Sequence, residues 1–231
     1  MDSHNRHVVS GVIFDMDGLM VDTEPLYQAS WQQAARELGH EIDDVLYARF
    51  VGRPTAACEA ILLDALGPSF PLRTFRARWS ELWRGEVERI GVTLKPGVLE
   101  ILDVVRARRL PAAVATSSES DYAELTLNWA GLRHWFSVVV TGDQVTHGKP
   151  APDIYLEAAK QLGVPAAECV AFEDSEAGIV AVQAAGMRGV LVPHWPASST
   201  ALRAATRVAT TLHQARDVLV SMMDESRPSA G

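Results

Sequence analysis

From residue 112 onward the chain alternates short apolar runs with stretches whose apolar positions recur every three or four residues. The runs cover 112–115, 138–140, 169–172 and 189–192, with 8–14 an earlier member and 207–209 a weaker last one. Continuous apolar runs of this length suit strands buried on both faces, as in a parallel sheet. Helical spacing covers 96–109, 120–130, 153–162 and 175–185, and three of these stretches meet a glycine able to close a helix, Gly131, Gly163 and Gly186. The alternation predicts an α/β fold, a doubly wound parallel sheet with helices on both faces.

Residues 24–90 break that rhythm, with three or four helical segments and no convincing strand. Pro25 suits the first turn of a helix running to Leu38-Gly39, and Thr55 is placed to cap 56–66. The stretch 71–90 carries Phe75, Trp79, Leu82, Trp83 and Val87 at helical spacing, an aromatic stripe that reads as core. The expected organisation is therefore a core over 1–22, an inserted helical cap over 23–93, and core again over 94–231. Residues 225–231 read as a frayed tail.

Composition narrows the classes of function. At 231 residues with a net charge of −8 and a pI near 5.4, the chain lacks the clustered basic surface that nucleic acid requires. Its two cysteines, Cys58 and Cys169, lie far apart and show no metal-ligand spacing, which points to a reducing compartment. The first seven residues have no apolar signal segment and no apolar run is long enough to span a bilayer. The expectation is a cytoplasmic monomer that binds neither nucleic acid nor membrane.

The chemistry gathers where strands are expected to end. Asp15-Met16-Asp17-Gly18 follows directly on the run closing at Phe14, and residues i and i+2 of a strand share a face. Gly18 permits the sharp turn that leaves both acids at the carboxyl edge, where open α/β sheets bind ligands. Two anions this close repel unless a cation lies between them, so the pair reads as a nucleophile and an acid/base beside a divalent metal. The plainer alternative is an ordinary Asp-Gly turn. An EF-hand loop is excluded, because its glycine stands sixth and a Glu twelfth.

Three further segments fit the same plan. Thr116-Ser117-Ser118 lies between a strand and a helix and can meet an anion with hydroxyls and N–H groups, or can simply cap the helix. Lys149, just ahead of two prolines in Gly148-Lys149-Pro150-Ala151-Pro152, is either an ordinary solvated lysine or, in so rigid a loop, an ordered active-site cation rather than a core residue. Glu173-Asp174-Ser175 ends another apolar run in adjacent carboxylates, the oxygen chemistry that Mg²⁺ prefers.

Asp-x-Asp-Gly, Thr-Ser, Gly-Lys-Pro-x-Pro-Asp and Glu-Asp-Ser, in this order over nearly the whole chain, resemble the haloacid dehalogenase superfamily. Asp15-Met16-Asp17-Gly18-Leu19 with Asp22-Thr23-Glu24-Pro25 resembles more narrowly the group of β-phosphoglucomutase and sugar-phosphate phosphatases. The resemblance implies a Rossmann-like core and a helical cap. It assigns Asp15 as the nucleophile that becomes an aspartyl phosphate and Asp17 as the acid that protonates the leaving oxygen and then activates water. It places Mg²⁺ among Asp15, the backbone carbonyl of Asp17, Asp174 and, directly or through water, Glu173. Thr116 and Lys149 would hold the phosphoryl oxygens, helped by backbone N–H groups of Gly18, Leu19 and Ser117.

The resulting expectation is a Mg²⁺-dependent phosphatase acting on a small phosphomonoester, a sugar phosphate or similar metabolite. A phosphosugar mutase is the alternative, since it shares the first half reaction. β-Phosphoglucomutases keep a His and an Arg in the cap region, and those positions fall at Tyr27 and Thr55 here, which favours the phosphatase. Glu24, Tyr27 and Arg53 are the candidates for substrate selection. A signalling receiver domain fits poorly, because its phosphorylated Asp follows a later strand.

Overall fold

The computed structural model describes residues 8–50, 55–194 and 196–225. It divides into two compact units, Met1–Asp22 with Thr93–Gly231, and Thr23–Val92. In chain order the elements are β1 (Gly11–Phe14), β2 (Val21–Asp22), α1 (Glu24–Glu37), α2 (Asp44–Ala48), α3 (Thr55–Leu66), α4 (Leu72–Ile90) and β3 (Thr93–Leu94). There follow α5 (Val98–Ala107), β4 (Ala112–Ala115), α6 (Ser120–Trp129), β5 (Val138–Val140), α7 (Asp153–Leu162) and β6 (Cys169–Glu173). The chain closes with α8 (Glu176–Ala184), β7 (Arg188–Leu191), α9 (Ser199–Ala204), β8 (Arg207–Val208) and α10 (Leu212–Glu225).

In the first unit six parallel strands form one sheet in the order β5-β4-β1-β6-β7-β8. The order reverses at β1, with β4 on one side and β6 on the other, and such a switch point opens a crevice at the carboxyl ends of the strands. Ile13, Ala113, Ala115, Cys169 and Ala171 share one buried cluster with Ile154, Tyr155 and Ile179 of the covering helices. The alternate residues Val12, Phe14, Val114, Val170 and Phe172 are equally buried, and Phe14 stacks on Phe172 with ring centroids 5.0 Å apart. Burial on both faces is the physical reason these strands are apolar throughout rather than alternating. The helices ahead of Gly131, Gly163 and Gly186 all end on glycines of positive φ, the conformation that closes a helix most cheaply without a side chain.

The second unit is helical. Pro25 occupies the first turn of α1, and Phe75, Trp83 and Val87 form the buried side of α4. Trp31 of α1 meets Phe75 edge-on at 5.3 Å, so the aromatic stripe is core, as its spacing predicts. The described part of α3 begins at Thr55 itself rather than after it.

Some elements escape the sequence pattern. The antiparallel pair β2–β3 has two residues per strand, and α2 has five, started by the Asp43 carboxylate accepting the Leu46 N–H at 2.7 Å. Neither is long enough to display a period. Helix α10 does display one, burying Leu212, Ala215, Leu219, Met222 and Met223, and extends the core beyond the elements expected. It runs to Glu225, and the rest of the expected tail lies outside the described residues. No helix among the described residues is long and apolar enough to cross a membrane.

Candidate active site

The pairing of β1 with β6 brings the two acidic segments together. Phe14 stands opposite Phe172, and the Asp15 N–H donates to the Phe172 carbonyl at 3.0 Å, so Asp15 begins just past one strand where Glu173 ends the next. Immediately beyond Asp15 the chain folds back on itself. The N–H groups of Met20 and Val21 both donate to the Met16 carbonyl, and Gly18 adopts φ +81°. The Gly18 N–H donates to the Val21 carbonyl at 2.9 Å, which corrects the expectation that it serves as a phosphate donor. Gly18 is needed for space: a Cβ there would lie 2.2 Å from Oδ2 of Asp174. Leu19 is buried at the turn.

Lys149 is the hub of the edge. Its Nζ donates to Oδ1 of Asp15 and Oε1 of Glu173, each at 2.5 Å, and to the Ala115 carbonyl at 3.1 Å. Its side chain is only 6% exposed. Burial alone would lower the lysine pKa, but Asp15 and Glu173 outweigh it and hold the ammonium above its ordinary range. Glu173 is fully buried and accepts from five donors: Lys149 and the Tyr155 hydroxyl on one oxygen, and the Asp174 N–H, Ser175 N–H and Ser175 hydroxyl on the other. Burial pushes its carboxyl up, yet Lys149 and these donors leave it below the usual value. Gly178 makes room for this carboxylate, since a Cβ there would overlap it. Burial first, and then the neighbouring Glu173 against the pull of Lys149, raises Asp15 to about 8. Asp174 is likewise raised, by burial and by the charges of Asp15 and Glu173.

This set fits a hard divalent cation. Asp15, Glu173 and Asp174 each offer a carboxylate oxygen within 4.8 Å of the others. Burial and mutual repulsion raise Asp15 and Asp174, and a divalent cation among the three carboxylates would favour their ionised forms. Because Glu173 already accepts from five donors, the oxygens that could hold such an ion directly are those of Asp15 and Asp174, with Glu173 orienting Lys149 and the turn that presents Asp174. The Asp17 carboxylate is not a member of this group, which confines any share in the cation to its backbone carbonyl.

Asp17 instead faces the segment after β4. Ser118 Oγ donates to its Oδ2 at 2.8 Å and the Tyr122 hydroxyl to its Oδ1 at 2.9 Å. Thr116 is buried, its Oγ1 accepting the Ser118 N–H at 3.1 Å, while Ser117 is exposed and its backbone packs closely under Gly142. The structure thus gathers Asp15, Asp174, Glu173 and Lys149 into one contact network and ties Asp17 to the Thr116–Ser118 turn. Tyr122 and Tyr155 are site residues that the sequence reading passes over, because a tyrosine on an amphipathic helix looks like packing.

In the helical unit, burial and the nearby Glu24 carboxylate, which also hydrogen-bonds it, hold the Tyr47 phenol above its ordinary range. Tyr27 packs against Trp79 and Trp83, with centroids 5.6 and 6.1 Å away, so its ring belongs to the core of that unit. Arg53 lies outside the described residues.

Residues 12–192 match the family model of haloacid dehalogenase-like hydrolases. The chain is 37% identical over 185 residues to a phosphorylated carbohydrates phosphatase of Thermotoga maritima, covering 79% of this chain and 84% of that protein. It is 38% identical over 185 residues to the fructose-1-phosphate phosphatase YqaB of Escherichia coli, covering 78% and 95%. Among solved structures, a Thermotoga maritima protein provisionally described as a β-phosphoglucomutase superposes with a TM-score of 0.79 at 34% identity, over 92% of this chain and 99% of that one. With the family model spanning both acidic strand ends and the lysine between them, this chain belongs to the haloacid dehalogenase-like hydrolases and is an enzyme of that family.

Proposed function

We propose that the chain is a Mg²⁺-dependent phosphatase hydrolysing a small phosphomonoester, a sugar phosphate or similar metabolite, through an aspartyl phosphate on Asp15. The observation that carries this reading is the buried Lys149 bridge between Asp15 and Glu173 beside Asp174, a cation and an acid placed for an anionic substrate. The phosphatase names of the two sequence relatives support the substrate class. Asp15, Asp174 and the Asp17 carbonyl are assigned to hold Mg²⁺, which when bound offsets the negative charge of carboxylates and phosphoryl oxygens as they meet.

The residues then divide the work. A carboxylate oxygen of Asp15 bonds to phosphorus as the bond to the leaving alkoxide breaks, and Asp17 gives its proton to that oxygen. Asp17, now a carboxylate, takes a proton from water; the water oxygen bonds to phosphorus, the acyl phosphate bond breaks, and inorganic phosphate leaves with Asp15 restored. Lys149 and the Thr116 hydroxyl hold the phosphoryl oxygens, with the Ser117 and Leu19 N–H groups as helpers. Thr116 suits this, because its oxygen accepts from Ser118 and its hydrogen is left to donate. We assign substrate selection to the helical unit and place the enzyme in the cytoplasm as a monomer, where Cys58 and Cys169, neither of them in a disulfide, stay reduced.

A panel of hexose, pentose and nucleoside monophosphates with Mg²⁺, read by phosphate release, tests the reading. Phosphorus NMR with β-glucose 1-phosphate and a trace of glucose 1,6-bisphosphate should show inorganic phosphate or no reaction. Rapid glucose 6-phosphate formation with little phosphate release would replace the phosphatase with a mutase.

A further inference from the structure

The geometry points to Ser118 and Tyr122 as positioning residues that aim the Asp17 carboxylate at the leaving oxygen, an inference that rests on the acid/base reading of Asp17. They approach from a different strand end: Asp17 follows β1, whereas Ser118 and Tyr122 follow β4, its hydrogen-bonded neighbour. Each gives one hydroxyl to a different oxygen of the carboxylate, at 2.8 and 2.9 Å. One such bond would fix a distance; two on separate oxygens also fix the plane of the carboxylate. A group that must give a proton along the line of departure and later take one from water needs that orientation, since small misplacements of reacting groups cost large factors in rate.

The donors are themselves held. The Ser118 N–H donates to Thr116 Oγ1, and its carbonyl accepts the Gly142 N–H at 2.9 Å. Gly142 runs so close that a Cβ there would lie 2.4 Å from the Ser117 carbonyl oxygen. The next turn is pinned by Asp143, which accepts the Ser120 N–H and hydroxyl at 3.0 Å and the Thr141 hydroxyl at 2.6 Å. Tyr122 then stands in the first turn of α6. The ordinary reading of a Ser and a Tyr at a helix start is local capping and packing. Here both hydroxyls converge on a residue more than a hundred positions earlier.

The test uses phosphate esters of similar shape and different leaving groups, phenyl and p-nitrophenyl phosphate, with Mg²⁺. The ratio kcat/KM reports the first transfer, so its fall from the good to the poor leaving group measures help from an acid. Asp17→Asn should steepen that fall. Tyr122→Phe and Ser118→Ala should steepen it in the same direction by about 10-fold each, a part of the roughly 10²–10⁴-fold that a positioned acid supplies. Ser118→Thr, which keeps a hydroxyl, should restore the wild-type slope, and Tyr122→Phe should add nothing in an Asp17→Asn background. A steeper slope in Asp17→Asn but unchanged slopes in folded Tyr122→Phe and Ser118→Ala would overturn the inference and leave the acid reading standing. An unchanged slope in Asp17→Asn would overturn the acid reading and the inference with it.

Discussion

Lys149 in the sheet-bearing unit and Arg78 in the helical unit each bridge two carboxylates, Asp15 with Glu173 and Glu37 with Glu81. Lys149 is 6% exposed and Arg78 35%. Asp15 and Glu37 respond in opposite directions, while Glu173, held by five donors, stays below its usual value. Burial is the largest influence on Asp15 and raises it to about 8, whereas the hydrogen bond from Arg78 is the largest on Glu37 and lowers it to about 2. The same kind of ion pair therefore leaves Asp15 reluctant to ionise at the sheet edge and merely decorates a solvated helix face. Contact distance does not separate Asp15 from Glu37; access of water does, and at the fully buried Glu173 it is the number of donors that outweighs burial.

The largest effect should come from Asp15→Asn, an amide of nearly the same shape but a poor nucleophile. Steady-state phosphate release should fall by about 10⁴-fold or more, as for loss of other nucleophiles, while circular dichroism stays native. Substantial turnover by the folded variant would remove Asp15 from the chemistry. Lys149→Met should come next. It strands Asp15 and Glu173 in a buried place, and urea unfolding without divalent ions should lose about 3–5 kcal/mol. That outcome would make the lysine a support of the fold as well as of the proposed reaction, which the sequence reading of an ordered cation outside the core does not anticipate.

Mg²⁺ should sharpen the comparison from the other side. At a concentration a hundredfold above its Kd it should stabilise the wild type by about 2.7 kcal/mol, and excess EDTA should abolish activity. Asp174→Asn should lose most of that stabilisation in thermal melts; an equal rise in the variant would detach Asp174 from the ion. The smallest effect belongs to Arg78→Ala. Glu37 is depressed when folded, so its contribution is fully present above its ordinary value of 4.5 and is lost as pH falls toward 2. Wild type and variant should differ in low-salt unfolding above pH 4.5 and converge below it, and the difference should fade in high salt. A gap that persists at pH 2 would assign the effect to packing instead.

Much of this was legible in the chain. The strands 112–115 and 138–140 and the helix 153–162 stand where periodicity places them, because a strand buried on both faces and a helix buried on one leave unambiguous patterns. The acids were legible too, since they fall next to strand ends and strand ends converge at one edge of a parallel sheet, and Lys149 was legible from the Gly-Lys-Pro-x-Pro-Asp segment between β5 and α7. Periodicity carries no such information for β2, β3 and α2, which are shorter than the period they would need to show.

What the sequence determined by itself is which side chains reach the sheet edge, for that follows from local pattern and the direction of a parallel strand. Which of them touch was decided by tertiary structure. That Asp17 turns to Ser118 and Tyr122, that Tyr155 completes the shell of Glu173, and that Val21 takes the Gly18 N–H depend on strand register and on a turn closing in space. Hydrogen bonds between residues a hundred positions apart leave no periodic trace, and burial, which sets the sign of the charge effects at Asp15 and Glu37, exists only once the chain has packed.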